Sequence, residues 1–266
     1  MRKMVQRLTA AALVCLILSG CAGGGTGGLF TSSKRPSKVD STELQFQTPR
    51  EGDPIAVIST SLGEISVVLY PEYAPMAVEN FTGLVLQKYF DNVPFHRVEQ
   101  DFVIQTGDAT GTGKGGASIW NNNDFPIEYT PKLRHYAGAL AMAKAADGSV
   151  DNLSQFYIVT CPADSIDRAS AQNLTDSGLP QAAVDTYRAV GGAPYLDGLD
   201  TVFGQVYAGM DVVDAINAVE TDENGKPLEE ISILTVNVGT YSAAPAQGAA
   251  SGEADSVPDP AAPSAA

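Results

Sequence analysis

Two short apolar runs, three residues apart, set the first constraint on this chain. In "IAVIST" (55–60) and "EISVVLY" (64–70) hydrophobic side chains alternate, with Ile65, Val67 and Leu69 on one side, and Ser61-Leu62-Gly63 joins the runs. A period of two belongs to a strand, and so short a connection joins antiparallel neighbours. The same signal returns in "FVIQTGD" (102–108), "AGALAMAKA" (137–145), "SQFYIVT" (154–160), "TVFGQVYAG" (201–209) and "ISILTVNVGTY" (231–241). Helical spacing appears in "APMAVENFTGLVLQKYF" (74–90), where Ala77, Phe81, Leu84 and Val85 follow Pro75, and in "GMDVVDAINAVE" (209–220), entered through Gly209. Strands, a helix, more strands, a second helix and a final strand predict a mostly β domain, an antiparallel barrel or sandwich capped by helices.

Composition marks where that domain stops. Residues 1–20 join a basic start (Arg2, Lys3, Arg7) to the apolar "LTAAALVCLILSG", too short to remain as a membrane span. Leu18-Ser19-Gly20-Cys21 resembles a bacterial lipobox, which implies cleavage before Cys21 and lipid on its thiol; the alternative is a plain signal peptide with a chance cysteine. Residues 21–50, rich in Gly, Ser, Thr and Lys, read as a flexible tether. Residues 51–242 form one domain, and 243–266, made of Ala, Pro, Gly and acid, a disordered tail.

Cysteine and charge narrow the function. Only Cys161 remains inside the domain, so no internal disulfide forms and no zinc site of the usual spacing is present. The net charge of −15 becomes −18 once Arg2, Lys3 and Arg7 are removed with the signal, which argues against nucleic acid. It also makes lipid, rather than surface charge, the route to an anionic membrane.

Several motifs fail on context. "GTGKGG" (111–116) matches G-x-G-x-x-G, but "ASIWNNNDFP" follows instead of a helix, and Gly115 after Lys114 breaks the P-loop pattern; a mobile glycine loop fits better. His96 and His135 have neither a G-x-S-x-G elbow nor an H-E-x-x-H partner, and His96 reads as structural. "TDENGKPLEE" (221–230) lacks EF-hand spacing and reads as a solvated turn around Asn224-Gly225.

Two strands remain. In "FVIQ" Val103 and Gln105 share a face, with Ile104 opposite; in "SQFYIV" Gln155 and Tyr157 share a face, with Phe156 and Ile158 opposite. Each strand thus sets one amide beside one apolar side chain. Either the glutamines are ordinary surface residues of half-exposed strands, or the two faces form one site. Arg97, just upstream in "PFHRVEQDFVIQTGD" (94–108), has no evident partner in a stretch built for burial, where an unpaired polar group costs a few kcal/mol.

Taken together, "PMAVENF", "FHRVEQDFVIQTGD", "GTGKGG", "GALAMAKA", "SQFYI" and "YLDGLDTVFGQV" resemble, in order, the cyclophilins, a family of peptidyl-prolyl cis-trans isomerases. The resemblance covers nearly all of 51–242. It implies a closed eight-stranded antiparallel β-barrel capped by two α-helices. It also implies catalysis at Arg97 supported by Gln105, and a peptide groove of Phe102, Val103, Gly111, Ala143, Lys144, Ala145, Gln155, Tyr157, Tyr195, Leu196 and Asp200. The missing partner of Arg97 would then be the substrate.

Three positions depart from the family pattern. Tyr195 stands where Trp is frequent, which puts cyclosporin-type inhibition in doubt. Asp200 aligns with a groove histidine and would favour basic flanking residues, and Lys144 replaces an asparagine that binds substrate backbone. An insertion at about 162–194 is partly helical, with Ala183, Tyr187 and Val190 at helical intervals before Gly191-Gly192. It is either a surface elaboration or a lid beside the groove.

The expectation is a lipid-anchored, extracytoplasmic, monomeric prolyl isomerase acting on proline-containing exported polypeptides, with no cofactor or metal. A non-catalytic proline-segment-binding chaperone or scaffold using the same groove is the alternative.

Overall fold

The structure, a computed structural model, describes residues 39–144 and 152–243. The expected signal peptide, Cys21 and the tail from 244 onward lie outside the described residues, as does Ala145.

The strands are β1 (Pro54–Thr60), β2 (Gly63–Leu69), β3 (Val93–Pro94), β4 (Arg97–Glu99), β5 (Val103–Thr106), β6 (Ala139–Met142), β7 (Phe156–Val159), β8 (Val202–Ala208) and β9 (Ser232–Thr240). Every ladder is antiparallel, and the order is β3-β9-β1-β2-β8-β6-β7-β5-β4. The closed eight-stranded barrel expected above is therefore corrected to an open nine-stranded sheet. Its two edges, β3 and β4, are consecutive in the chain, yet no ladder joins them. Pro94 has no N–H to give to a neighbouring strand, and β3 and β4 are only two and three residues long.

Helix α1 (Pro75–Leu86) starts with Pro75 in its first turn and buries Ala77, Phe81, Leu84 and Val85. Its first-turn amides are met from outside the helix: Met76 N and Ala77 N donate to the Glu128 carboxylate at 3.0 and 2.9 Å. Helix α4 (Met210–Asn217) follows Gly209 at φ +87°, where a Cβ would lie 2.2 Å from the Glu64 carbonyl oxygen, so only glycine fits the corner. Among the described residues two further α-helices occur, α2 (Arg168–Asp176) and α3 (Gln181–Val190), both in the insertion.

The sheet is buried on both faces over β5 to β8, while β1 and β9 bury one face only. Leu69, Phe81, Phe90, Ile104, Leu140, Phe156, Ile158 and Phe203 fill the side under α1 and α4. Val68, Val103, Ala139, Ala141, Tyr157 and Val159 form a second apolar cluster on the other side. Strands β2, β5, β6, β7 and β8 alternate between the two clusters, which is why β5 to β7 read as almost unbroken apolar runs.

The insertion makes a third cluster. Ile166, Ala171, Val184, Tyr187 and Val190 gather on Tyr136 with Val39 and Phe46. This supports surface elaboration over a lid: the helices bury their apolar stripe on Tyr136 and the N-terminal segment, and only the returning Pro194–Leu196 turn reaches the groove. The N-terminal segment brings its own correction. Residues 39–50 of the expected tether lie on the domain, with Gln45 only 3 % exposed. Its Nε2 donates to the Arg134 carbonyl and to Gln205 Oε1, and its Oε1 accepts from Arg134 N at 2.7 Å.

Candidate active site

Strand register assembles the site. Arg97 lies across from Gln105 and Glu99 across from Val103 in the β4–β5 pair, and Gln105 lies across from Tyr157 in the β5–β7 pair. Arg97, Gln105 and Tyr157 therefore stand in one row across three strands, on the face that also carries Val103.

The polar groups in that row form a directed chain. Arg97 Nη1 donates to Gln105 Oε1 at 3.0 Å, and Gln105 Nε2 donates to Gln155 Oε1 at 2.9 Å. Gln155 Nε2 then donates to the carbonyls of Gly113 and Gly115 at 3.0 and 2.7 Å. Each amide accepts on one side and donates on the other. Flipping either one would set donor against donor, so the chain fixes both orientations. The guanidinium, expected to await only substrate, thus has partners in the protein: Gln105, and Glu99, whose Oε1 accepts from Nη2. Its Cζ also lies 5.9 Å from the centre of the Phe102 ring.

The glycine loop anchors this chain. Read from its glycines as mobile, the loop is held by the buried Asp108 carboxylate, which accepts from the backbone N–H of Thr110, Thr112 and Gly115 and from both threonine hydroxyls. Burial alone would raise the Asp108 pKa, but the hydrogen bonds from Thr110, Gly115 and Thr112 outweigh it and bring it down to about 2. Gly111 turns the loop at φ +65° above Pro94. His96 lies behind the loop, near Gly113. Burial, reinforced by the Arg97 charge, lowers its pKa against the pull of Asp108 and Gln155.

The floor is apolar. Val103, Ala143 and Tyr157 are buried, while Phe102 and Leu196 pack partly exposed against the same cluster. Tyr195 stacks on Phe102 with ring centres 6.2 Å apart. At the far end Tyr157 Oη donates to Asp200 Oδ2 at 2.8 Å, and burial followed by the Asp200 charge pushes the phenol pKa upward. Lys144 Nζ donates to the Leu199 carbonyl at 2.8 Å and lies 3.3 Å from Asp200 Oδ1. Two of the departures from the family pattern therefore face each other. The Asp200 carboxylate, expected to recruit basic flanking residues, already has a lysine and a phenol.

Sequence reasoning missed three things here. Glu99 shares a strand face with Arg97, a period-two signal that was available. The Asp108 cage was hidden because a Gly-Asp step reads as a plain turn. Asp197, beneath the floor, accepts from His135 N and from Tyr187 Oη, lies 3.3 Å from Arg134 Nη1, and pairs with His135 Nδ1. The His135 ring in turn stacks on Tyr157.

Comparison with known proteins agrees with this geometry. The family model for cyclophilin type peptidyl-prolyl cis-trans isomerase/CLD matches residues 55–238. A Staphylococcus aureus protein named "Putative peptidyl-prolyl cis-trans isomerase" is 38% identical over 189 residues, covering 71% of this chain and 93% of that protein. A Streptococcus pyogenes protein named "Putative bifunctional phosphatase/peptidyl-prolyl cis-trans isomerase" is 39% identical over 201 residues, which is 74% of this chain but only 42% of that protein. Among solved structures, a Cryptosporidium parvum cyclophilin type isomerase, crystallised in the presence of the dipeptide Ala-Pro, superposes with a TM-score of 0.56 at 28% identity, covering 70% of this chain and 99% of that one. With its sheet, its "FHR" and "SQF" strands and these relatives in agreement, the chain belongs to the cyclophilin type peptidyl-prolyl cis-trans isomerase family.

Proposed function

We propose that this isomerase works by offering Arg97 to the prolyl nitrogen, while Phe102, Val103, Tyr157 and Leu196 hold the proline ring. Rotation about a peptide C–N bond is opposed by about 18–20 kcal/mol of resonance, and uncatalysed prolyl isomerisation takes tens to hundreds of seconds. A hydrogen bond to the nitrogen favours its pyramidal form, localises the lone pair and removes double-bond character. A guanidinium suits this role because it stays charged and has five N–H groups. Two of its nitrogens already donate, to Gln105 and to Glu99, which orients the remaining N–H groups. Every ~1.4 kcal/mol by which the twisted peptide is bound better than the planar one gives a tenfold rate increase.

The observation that carries this reading is the directed chain from Arg97 through Gln105 and Gln155 to the glycine loop, set above an apolar floor. Gln105 is the natural clamp for substrate backbone, with Gly111, Ala143, Lys144, Gln155, Tyr195 and Asp200 along the path of the peptide. The Ala-Pro dipeptide present with the Cryptosporidium relative supports proline-containing segments as ligands. The test is cis-to-trans exchange of a short X-Pro peptide, followed by NMR with the full chain and with Arg97→Ala. Acceleration lost in the variant, with peptide binding kept, assigns the role. Unchanged acceleration removes it.

The Cys21 motif and the apolar run before it support an extracytoplasmic, lipid-anchored enzyme that serves exported polypeptides. Incorporation of labelled fatty acid that disappears in Cys21→Ser tests the anchor; equal labelling of the variant would overturn it.

A further inference from the structure

Large apolar side chains exposed among the described residues are unevenly placed. Leu62, Leu86, Leu228 and Leu234 occur singly, on the β1–β2 turn, at the end of α1, before β9 and in β9. Tyr195, Tyr129 and Leu199, at 63, 58 and 53 % exposure, instead gather on or against the segment 194–200 that edges the groove. Single exposed leucines are ordinary on a protein surface; a cluster beside a binding groove marks a contact surface.

All three are held in place. Tyr195 stacks on Phe102. The Leu199 backbone is tied into the preceding turn, its N–H donating to the Leu196 carbonyl at 2.9 Å. The Tyr129 ring lies against Gly198, where a Cβ would sit 3.6 Å from Cε2, and Gly198 turns the chain at φ +83°. Ordering these side chains on binding therefore loses little conformational entropy. The charges along the same edge are already matched, Arg97 by Glu99 and Lys144 by Asp200. What the edge offers a ligand is apolar area.

We infer that Tyr195, Leu199 and Tyr129 form a specificity rim for large apolar side chains flanking the proline, so that the preferred substrate is an extended, unfolded segment with Leu- or Phe-like residues near its X-Pro bond. This rests on the groove reading above. The proline ring itself is taken by Val103, Tyr157 and their neighbours, so the rim meets only what lies on either side.

The test compares two X-Pro peptides of equal length, one flanked by leucine and phenylalanine, the other by alanine and serine, in NMR exchange with the full chain. The apolar flanks are expected to raise kcat/KM by about five- to tenfold, a gain of the size partial burial of one or two such side chains supplies. Leu199→Ser and Tyr129→Ser should each remove most of that gain while leaving the alanine-flanked peptide unchanged, and Leu199→Met should keep it. Equal rates on both peptides, a gain that survives both serine variants, or equal loss on both peptides would overturn the rim. If neither peptide is accelerated, the isomerase reading of the groove fails instead. Binding then decides the rim by itself: tighter capture of the apolar-flanked peptide, lost in Leu199→Ser, upholds it, and equal capture overturns it.

Discussion

At one end of the groove Arg97 faces Glu99 and Gln105; at the other Lys144 faces Asp200 and the Leu199 carbonyl. Both ends set a cation against a carboxylate at the edge of the same apolar floor, and both bind that pair to an uncharged partner, an amide or a phenol. They differ in what stands behind them. The arginine is backed through Gln105 and the buried Gln155 by a loop that the buried Asp108 holds, although its own pair with Glu99 is exposed. The lysine is held by one backbone carbonyl and the Asp200 carboxylate, with no relay of amides behind it. The lesson is that a charge becomes a directed donor only when its neighbours are themselves immobile; otherwise it serves to balance another charge.

The contrast can be broken first at Arg97. Arg97→Lys keeps the charge but loses the planar fork, and NMR exchange should show a fall of about a hundredfold in kcat/KM with peptide binding largely kept. A lysine variant within threefold of wild type would mean that charge alone suffices, and the two ends would not differ in kind. Behind the arginine, Gln155→Leu leaves the Gly113 and Gly115 carbonyls and the Gln105 amide unpaired. Thermal unfolding should show a loss of about 1–3 kcal/mol, accompanied by about tenfold lower activity as the chain to Arg97 slackens.

Acid sharpens the comparison through Asp108. An unfolded aspartate titrates near 3.9, whereas the folded carboxyl is held at about 2. Between those values the unfolded chain binds more protons. The stability contributed by Asp108, on the order of 2 kcal/mol, is therefore complete above about pH 4 and is lost as pH falls toward 2. Denaturant unfolding from pH 5 to 2 should show that loss in wild type, and Asp108→Asn should flatten it. The lysine end should respond least: in a double-mutant cycle of Lys144→Ala and Asp200→Ala the coupling should stay below about 1 kcal/mol. Asp200→Ala should also bring the Tyr157 phenol back toward its ordinary range in an ultraviolet titration, because its pKa is raised in part by that carboxylate. A coupling of several kcal/mol would show that both ends are rigid.

Much of this molecule is legible along the chain. The β1–β2 hairpin, α1 behind Pro75, the strand faces of "FVIQ" and "SQFYIV", and α3 ending at Gly191 all follow from periods of 2 or 3.6 and from turn residues. Helix α2 was missed because "RASAQNLTD" has almost no apolar stripe; its start is fixed by Asp167, which accepts from Ser170 N at 2.7 Å. Strands β3 and β4 were missed because at two and three residues they carry no period, and they exist only where β9 and β5 offer them ladders.

The site divides in the same way. The resemblance of the motifs brought Arg97, Gln105 and the floor residues to notice, and period two placed Val103 with Gln105 and Tyr157 with Gln155. Periodicity is set by neighbours in the chain, so a sequence carries it directly. The partners of buried polar groups are different. Gln105 meets Gln155 across 50 residues, Tyr157 meets Asp200 across 43, and Gln45 meets Gln205 across 160. Nothing local distinguishes these pairs from others of the same type, because hydrogen bonds of 2.8–2.9 Å demand positions that only the register of the sheet and the packing of its two faces supply. The sequence by itself determined which side chains would face together; the tertiary structure decided which of them touch, and so turned a row of polar residues into an aimed guanidinium.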